Sequence, residues 1–218
     1  CAYIYYKYGQ NWVEQAKLLA SDGQLGDCFG YSVSIDGDKA AVGAYNSNST
    51  AFKAGSAYVF SFEQDGWQEQ STLAASDGSP GDYFGWSVSI NGEYILVGAY
   101  SSDAAVSNGG SCYVFKFDGQ SWIEDGQLLA DDSESDEFFG SSVSMGDKQA
   151  VVGAKLDKEN GYDSGGAYIF DKNYLTLRSP VKSQAVKAGE ILDLTWSSDL
   201  PDGNVSLEYS DDNGRAWH

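Results

Sequence analysis

The sequence predicts an all-β protein built from repeated units of strands. Three features recur at a fixed spacing of 55 residues: a tryptophan, a Phe-Gly pair and a Gly-Ala pair. They stand at Trp12, Trp67 and Trp122, at Phe29-Gly30, Phe84-Gly85 and Phe139-Gly140, and at Gly43-Ala44, Gly98-Ala99 and Gly153-Ala154. A fixed period of this length is typical of a repeat architecture. The composition agrees, because 14% aromatic residues suit β-structure and 26 Gly against 3 Pro favour tight turns.

Each repeat contains two predicted hairpins, and the second copy shows them most clearly. Its predicted strands are residues 86–90, 93–97, 111–117 and 121–124. Asn91-Gly92 separates the first two strands, and an Asn-Gly pair there predicts a type I′ turn with positive φ at both central residues. Asp36-Gly37 and Gly146-Asp147 stand at the same place in the other copies. We therefore expect four antiparallel strands in each repeat and no long helix.

A unit of four antiparallel strands at this period is typical of the blade of a β-propeller. Residues 1–172 hold three such units, with half a unit at residues 1 to about 18. Propellers close with about four to eight blades, and open blade faces would expose apolar surface. We therefore expect residues 1–172 to be part of a larger ring, and the chain to be a fragment of a longer protein.

Several short motifs resemble an FG-GAP repeat. They are Gly-Asp-Cys-Phe-Gly-Tyr-Ser-Val-Ser-Ile at residues 26–35, Ala-Val-Gly-Ala at 41–44 and Gly-Ser-Ala-Tyr-Val-Phe at 55–60. The resemblance extends from residue 1 to about residue 172. It implies the seven-bladed propeller of integrin alpha subunits and of many surface proteins, which is usually extracellular and serves adhesion or ligand recognition.

The calcium site that this resemblance implies is not expected here. Integrin-type repeats often carry an Asp-x-Asp-x-Asp loop between the Phe-Gly and Gly-Ala pairs. In this chain that hairpin is too short to offer the six to eight oxygens that Ca²⁺ prefers. A different candidate is formed by Asp157, Glu159 and Asp163, which alternate around Gly161 in the third copy alone. This segment is either a calcium site or a solvated acidic loop.

One side of the predicted blades is expected to bear the ligand. The segments 45–55, 100–110 and 155–165 have equal length and unrelated sequences, and blade geometry places them beside the interblade loops. Both sets of loops are rich in Asp and Glu, in agreement with a net charge of −19. This charge disfavours nucleic acid and anionic membranes as partners and favours cations or basic partners. The alternatives are a solvated acidic surface and sequence drift at tolerant loop positions.

Residues 173–218 depart from the repeat and are expected to begin a second domain. Leu177 stands where the next tryptophan would fall, and Pro180 follows. Residues 191–196 and 205–209 read as two further strands. The segment resembles the start of an immunoglobulin-like sandwich, which is cut short because a complete one needs about 100 residues.

No catalytic constellation accompanies the repeat. His218 is the only histidine, which argues against Ser–His, Cys–His and histidine–metal chemistry. The carboxylates lie in polar loops rather than in the apolar pocket that glycoside hydrolysis needs. Cys1, Cys28 and Cys112 replace ordinary packing residues, and we expect them to be small buried side chains. No apolar run is long enough for a transmembrane helix.

The sequence thus predicts a non-catalytic module of the extracellular space or cell surface. We expect it to bind a protein or glycan ligand, with basic ligands favoured, through the acidic loop side. Calcium is the one cofactor suggested, and neither nucleic acid binding nor membrane insertion is expected. Two alternatives remain open: a non-catalytic accessory module of a secreted carbohydrate-active enzyme, and a structural spacer.

Overall fold

The computed structural model describes residues 1–159 and 161–171, together with the backbone of residues 176–179 and 195–197. The chain divides into two compact units, Cys1–Lys172 and Asn173–His218. Within the described residues every helix or strand element is a strand, so the all-β prediction is confirmed. The second unit is described only as an antiparallel pair, β14 (Thr176–Ser179) and β15 (Thr195–Ser197). The immunoglobulin-like prediction for residues 173–218 otherwise falls outside the described residues.

The first unit contains one separate hairpin and three blades. The hairpin consists of β1 (Ala2–Tyr8) and β2 (Asn11–Leu18). Blade 1 consists of β3 (Ser32–Asp36), β4 (Lys39–Ala44), β5 (Ser56–Glu63) and β6 (Gly66–Leu73). Blade 2 consists of β7 (Phe84–Asn91), β8 (Tyr94–Ala99), β9 (Ser111–Phe117) and β10 (Trp122–Leu128). The described part of blade 3 consists of β11 (Phe139–Met145), β12 (Gln149–Ala154) and β13 (Gly166–Asp171). Consecutive strands pair antiparallel in every blade, which confirms the predicted half blade and the repeated blades.

The tight turns differ from the prediction by one residue. In blade 2 Asn91 pairs with Tyr94, so the central turn residues are Gly92 and Glu93. Gly92 has a φ of +59°, and the turn of blade 1 repeats this pattern. A glycine with positive φ at the first central position alone fits a type II′ turn, so the type I′ prediction was wrong. A contact between blades favours this register, because the Gly92 N–H donates to Asp36 Oδ2 of blade 1 at 2.7 Å.

The hydrophobic core lies between the blades. Blade 2 turns one face of its sheet toward blade 1 and the other face toward blade 3. Between blades 1 and 2, Ala41 and Val59 belong to one buried cluster with Val88 and Ile90. A corresponding cluster joins blades 2 and 3, and a third joins the β1–β2 hairpin to blade 1. The stability of each blade therefore depends on its neighbours, as in other repeat proteins.

The recurring glycines are explained by the close approach of neighbouring backbones. A Cβ on Gly43 would fall on the carbonyl oxygen of Gly85 in the next blade, and a Cβ on Gly85 would fall on that of Ser56. Gly85 also has a φ of +86°, which glycine adopts more readily than other residues. Ser32 Oγ donates to the Gly85 carbonyl at 2.8 Å. The same relations recur between blades 2 and 3, which is why the Phe-Gly and Gly-Ala pairs keep one spacing.

Positions that are buried between blades are exposed on the outer faces of the described array. Ile90 is 4% exposed, whereas Ile35, its equivalent in blade 1, is 55% exposed. Ile169 of blade 3 is 67% exposed, whereas Val59, its equivalent in blade 1, is fully buried. An apolar cleft of about 390 Å³ separates the β1–β2 hairpin from β3 and β4. Burial at these positions therefore follows from stacking and cannot be read from one repeat alone.

Candidate ligand-recognition face

Two sets of loops meet on one side of the blades. The 2–3 loops join the second and third strands of each blade, and the interblade loops precede the first strand. The 2–3 loops are residues 45–55, 100–110 and 155–165, and the interblade loops are residues 19–31, 74–83 and 129–138. The Tyr83 N–H donates to the Lys53 carbonyl at 3.3 Å, and the Phe138 N–H donates to the Asn108 carbonyl at 3.1 Å. We call the surface of these six loops the loop face. The loops lie together there as the sequence predicted.

Some of the acidic side chains of the loop face hold the loops in place. In every blade a tyrosine of the third strand donates its hydroxyl to an interblade aspartate, at 2.6 to 2.8 Å. The pairs are Tyr58 with Asp22, Tyr113 with Asp77 and Tyr168 with Asp132. Burial first, and then the neighbouring carboxylate, raises the pKa of each of these tyrosines above its ordinary value. The hydroxyls therefore stay protonated and act as permanent donors.

A second acidic position of each interblade loop is buried. It is occupied by Asp27, Asp82 and Glu137, all less than a tenth exposed. Each side chain accepts the backbone N–H of the residue three positions earlier, at 2.6 to 2.8 Å. Burial raises the pKa of the Asp82 carboxyl, and the hydrogen bond from Ser79 opposes this shift. These acids therefore cap the turns of the interblade loops.

Blade 3 departs from the other two at one buried contact. In blade 1 the hydroxyls of Ser47 and Ser56 lie 2.7 Å apart, and blade 2 repeats this pair of serines. In blade 3 the equivalent residues are Asp157 and Gly166. The Tyr168 hydroxyl lies 2.6 Å from Asp157 Oδ2 as well as 2.8 Å from Asp132 Oδ1, so its one proton is shared between the two carboxylates. A Cβ on Gly166 would come within 2.5 Å of the same Asp157 oxygen. The larger acid and the missing side chain therefore compensate each other.

The predicted metal ligands are only partly brought together. Asp157 is 3% exposed and is held by Tyr168 and by the N–H of Glu159, at 2.6 and 2.9 Å. Glu159 lines the same cleft as Asp157, whereas Asp163 does not. Asp163 is exposed and has a φ of +53°. Within the described ranges, no group of three or more His, Cys, Asp and Glu side chains is arranged to hold a metal ion. The calcium hypothesis for Asp157, Glu159 and Asp163 stays a prediction.

An acidic cleft opens at the blade 3 end of the loop face. Its volume is about 300 Å³, and its lining consists of Asp132, Glu134, Glu137, Asp157, Lys158 and Glu159. The Lys158 ammonium donates to the Ser135 carbonyl at 2.6 Å, so it ties the 2–3 loop to the interblade loop. Five carboxylates and one ammonium give the lining a negative charge. Such a cleft attracts cationic groups and repels polyanions.

A continuous row of aromatic rings crosses the loop face, and the sequence analysis missed it. The row consists of Tyr31, Tyr45, Tyr83, Trp86, Tyr100 and Phe138, and neighbouring ring centroids lie 4.2 to 5.8 Å apart. Tyr31 is 51% exposed, and the other five rings are partly buried. Such pairs stabilise one another beyond the area that they bury. We call these six side chains the aromatic row.

The aromatic row ends at a lysine. Lys155 Nζ lies 4.6 Å from the ring centroid of Phe138, 4.8 Å from that of Tyr100 and 6.0 Å from that of Trp86. These distances fall within the range of cation–π attraction. Lys155 occupies the position that Tyr45 and Tyr100 hold in the other blades. The signal in the sequence was the recurrence, 55 residues apart, of aromatic residues at three positions of the repeat, each aromatic in two of the three copies.

The cysteines do not form a reactive centre among the described residues. All three are free thiols. Cys112 is fully buried, which raises its pKa and keeps the thiol protonated. The prediction of burial was wrong for Cys1 and Cys28, which are both exposed. Cys28 donates its thiol to the Gly26 carbonyl at 3.4 Å.

Comparison with known families agrees with the repeat that the fold displays. The sequence model of the FG-GAP repeat matches residues 12–60, 67–115 and 122–170, one match for each of the three copies. A search of curated protein sequences found no match. Within the described ranges no helix is long and apolar enough to span a membrane. Because the three matches together span more than half of the chain, it belongs to the FG-GAP repeat family.

Proposed function

We propose that this protein is a non-catalytic recognition or adhesion module of the extracellular space or cell surface, and that it binds its ligand through the loop face. FG-GAP repeats are typical of extracellular proteins and are typically non-catalytic. The observation that carries the proposal is the acidic cleft of about 300 Å³, open on a face built entirely from loops on a rigid frame. A concave site with a few placed polar groups is the default candidate for ligand binding.

The loops of this face are held before any ligand arrives. Backbone hydrogen bonds join the 2–3 loops to the interblade loops in consecutive blades. The tyrosine hydroxyls and the buried acids fix the interblade loops further. Binding therefore orders little additional chain, which reduces the entropic cost of association. The 2–3 loops vary in sequence at constant length, so they present different side chains on similar backbones.

The charge of the face defines the chemistry of the ligand. The cleft lining carries five carboxylates, and the whole chain has a net charge of −19. Nucleic acids and anionic lipid surfaces would be repelled. A protein or glycan ligand that carries basic groups would be attracted, and the attraction would weaken with added salt.

An array of extracellular matrix proteins and glycans tests this proposal. Wild-type protein is expected to bind at least one arrayed ligand, and the double variant Glu134→Gln, Glu159→Gln is expected to lose that binding. The matched control is Asp38→Asn, Glu93→Gln, which removes equal charge from the hairpin turns on the opposite side of the blades. Equal binding by both double variants would contradict a role for the loop face.

Calcium at Asp157, Glu159 and Asp163 is part of the same proposal and needs its own test. A ligand at about 100 times its dissociation constant adds about 2.7 kcal/mol to the stability of a fold that alone binds it. Thermal unfolding in excess calcium, compared with EDTA, should therefore shift upward in the wild type and not in Asp163→Ala. Identical transitions of the wild type in both buffers would remove calcium from the proposal.

One observation favours a second candidate, an accessory module of a secreted carbohydrate-active enzyme. Partly exposed rings such as Tyr31 and Trp86 can stack on sugar rings as well as on other ligands. Binding confined to glycans, together with hydrolysis by the full gene product, would favour this candidate. Binding to a protein without turnover would favour adhesion. A spacer would be favoured if no ligand is found and if exchange of the loops changes nothing.

A further inference from the structure

We propose that Asn48 is an attachment site for an N-linked oligosaccharide. The sequence Asn48-Ser49-Thr50 has the Asn-x-Ser/Thr form that the oligosaccharide transferase of the secretory pathway recognises. The proposal rests on the proposed function in one respect, because a protein meets this transferase on its way to the extracellular space. The motif is short, and what distinguishes Asn48 is its place in the fold.

The motif lies in the 2–3 loop of blade 1, on the loop face. Asn48, Ser49 and Thr50 are consecutive exposed residues outside the strands. A glycan is bulky and hydrophilic, so its acceptor has to project into water. The Thr50 hydroxyl lies 3.4 Å from the Gly78 carbonyl oxygen, which is long for a hydrogen bond from a hydroxyl. Both the acceptor and the hydroxyl of the motif are therefore accessible to an enzyme.

The loop uses only the oxygen of the Asn48 side chain. Oδ1 accepts the Lys53 N–H at 2.8 Å. A backbone N–H can donate to the oxygen of an amide but not to its nitrogen, so this contact distinguishes the two atoms. Within the described ranges Asn48 Nδ2 has no hydrogen-bond partner. Because a glycan is joined to Nδ2, its attachment leaves the contact with Lys53 intact.

Blade 2 shows that the loop does not need the amide nitrogen. The residue equivalent to Asn48 is Asp103, and Asp103 Oδ1 accepts the Asn108 N–H at 2.7 Å. Lys53 and Asn108 have φ values of +56° and +50°, so the two loops share this local conformation. A carboxylate thus fills the structural role of Asn48. The nitrogen that blade 1 carries at this position is left for another purpose, and it is followed by the threonine that glycan transfer requires.

The transfer balances without an oxidant or a reductant. Its co-substrate is an oligosaccharide joined through C1 of its first sugar to a polyprenyl diphosphate. The bond between Asn48 Nδ2 and C1 forms, the C1–O bond breaks, and the diphosphate leaves with the electron pair. One amide proton passes to a base of the transferase. The product is a neutral secondary amide that keeps its oxygen as an acceptor.

Secretion of the full chain from eukaryotic cells, behind a cleavable signal peptide, tests the site. Enzymatic release of a glycan converts its asparagine to aspartate, which peptide mass spectrometry locates. The wild type is expected to carry a glycan on Asn48, and Thr50→Ala and Asn48→Asp should lose it. Asn48→Asp is the matched control for folding, because it reproduces the contact that Asp103 makes in blade 2. Its unfolding midpoint should equal that of wild type produced without a glycan.

A transplanted motif tests the geometry of the loop. Asp103→Asn, Ala105→Thr places the same three-residue pattern at the equivalent position of blade 2 and should also be glycosylated. The absence of a glycan there would contradict the argument that this loop position presents an amide nitrogen to the enzyme. A second motif of this form, Asn204-Val205-Ser206, lies outside the described residues, and the peptide map separates its glycan from that on Asn48.

Two results would overturn the site. The first is secreted, folded wild type without a glycan on Asn48. The second is a glycan on Asn48 that occurs only in misfolded protein retained inside the cell. The site and the proposed function fail separately. If Asn48 is unmodified while the wild type binds an arrayed ligand that Glu134→Gln, Glu159→Gln no longer binds, the recognition module stands and the glycan site falls.

Discussion

Ile90 and Ile35 occupy the same position of consecutive repeats but differ in burial, at 4% and 55% exposed. Ile90→Ala removes three carbon atoms from the cluster between blades 1 and 2. At about 0.8 kcal/mol for each buried methylene, the transfer contribution is about 2.4 kcal/mol. The cavity left behind increases the loss, so we expect about 3 kcal/mol. Ile35→Ala removes the same atoms from a side chain that is about half exposed, so about 1 kcal/mol should be lost.

Urea unfolding followed by tryptophan fluorescence measures this difference. The midpoint should fall much further for Ile90→Ala than for Ile35→Ala, with a similar denaturant dependence in both variants. In thermal unfolding the loss of about 3 kcal/mol corresponds to about 6 to 12 °C for a chain of this size. Equal losses in the two variants would refute the argument that burial comes from stacking between blades.

Two further predictions concern individual acidic residues. Asp157→Ser and Gly166→Ser should each destabilise the protein by about 1 to 3 kcal/mol, because one leaves a gap and the other forces a Cβ onto a carboxylate oxygen. The double variant restores the serine pair of the other blades. Its loss of unfolding free energy should be at least 1 kcal/mol smaller than the sum of the losses of the two single variants, as a double-mutant cycle in urea would show. The pKa of Asp82 is raised by burial, so its contribution to stability is fully present below the ordinary value of 3.8 and is lost as the pH rises through the folded pKa. Asp82→Asn should therefore gain stability relative to wild type between pH 3.5 and pH 7. Asp118→Asn should lose stability over that range, because hydrogen bonds from the Ser121 and Gln120 N–H groups lower the pKa of Asp118. The measurement is the unfolding midpoint of each variant relative to wild type as a function of pH. A change of the same sign in both variants would contradict the assignment.

The stacked blades could be predicted from the sequence because the residues that determine the stacking recur in every repeat. Gly43 and Gly85 recur at one spacing because each contacts the neighbouring backbone, so their period reports the stacking of blades. The turn type could not be predicted from Asn91-Gly92 alone. The register there is coupled to a hydrogen bond from Gly92 to Asp36, which belongs to another blade.

The candidate site was predicted only as a region. The sequence shows that the loops are acidic, but it does not show that Asp27 and Asp82 are buried as caps of turns while Glu159 lines an open cleft. That division depends on which backbone N–H groups the fold leaves near each carboxylate. The aromatic row was missed for a related reason. Tyr31 and Tyr45 lie 14 residues apart in two loops, and they become neighbours only when the loops fold over the end of the blade.

Exchange of one loop tests the central claim of a ligand-binding loop face most directly. Residues 155–165 can be replaced by the sequence of residues 45–55, which has the same length and serves the same place in blade 1. Gly166→Ser is included, so that the buried serine pair of blade 1 is restored. The account predicts that affinity for an arrayed ligand falls at least tenfold while the unfolding midpoint changes little. Unchanged affinity in the folded, loop-exchanged protein would contradict the claim.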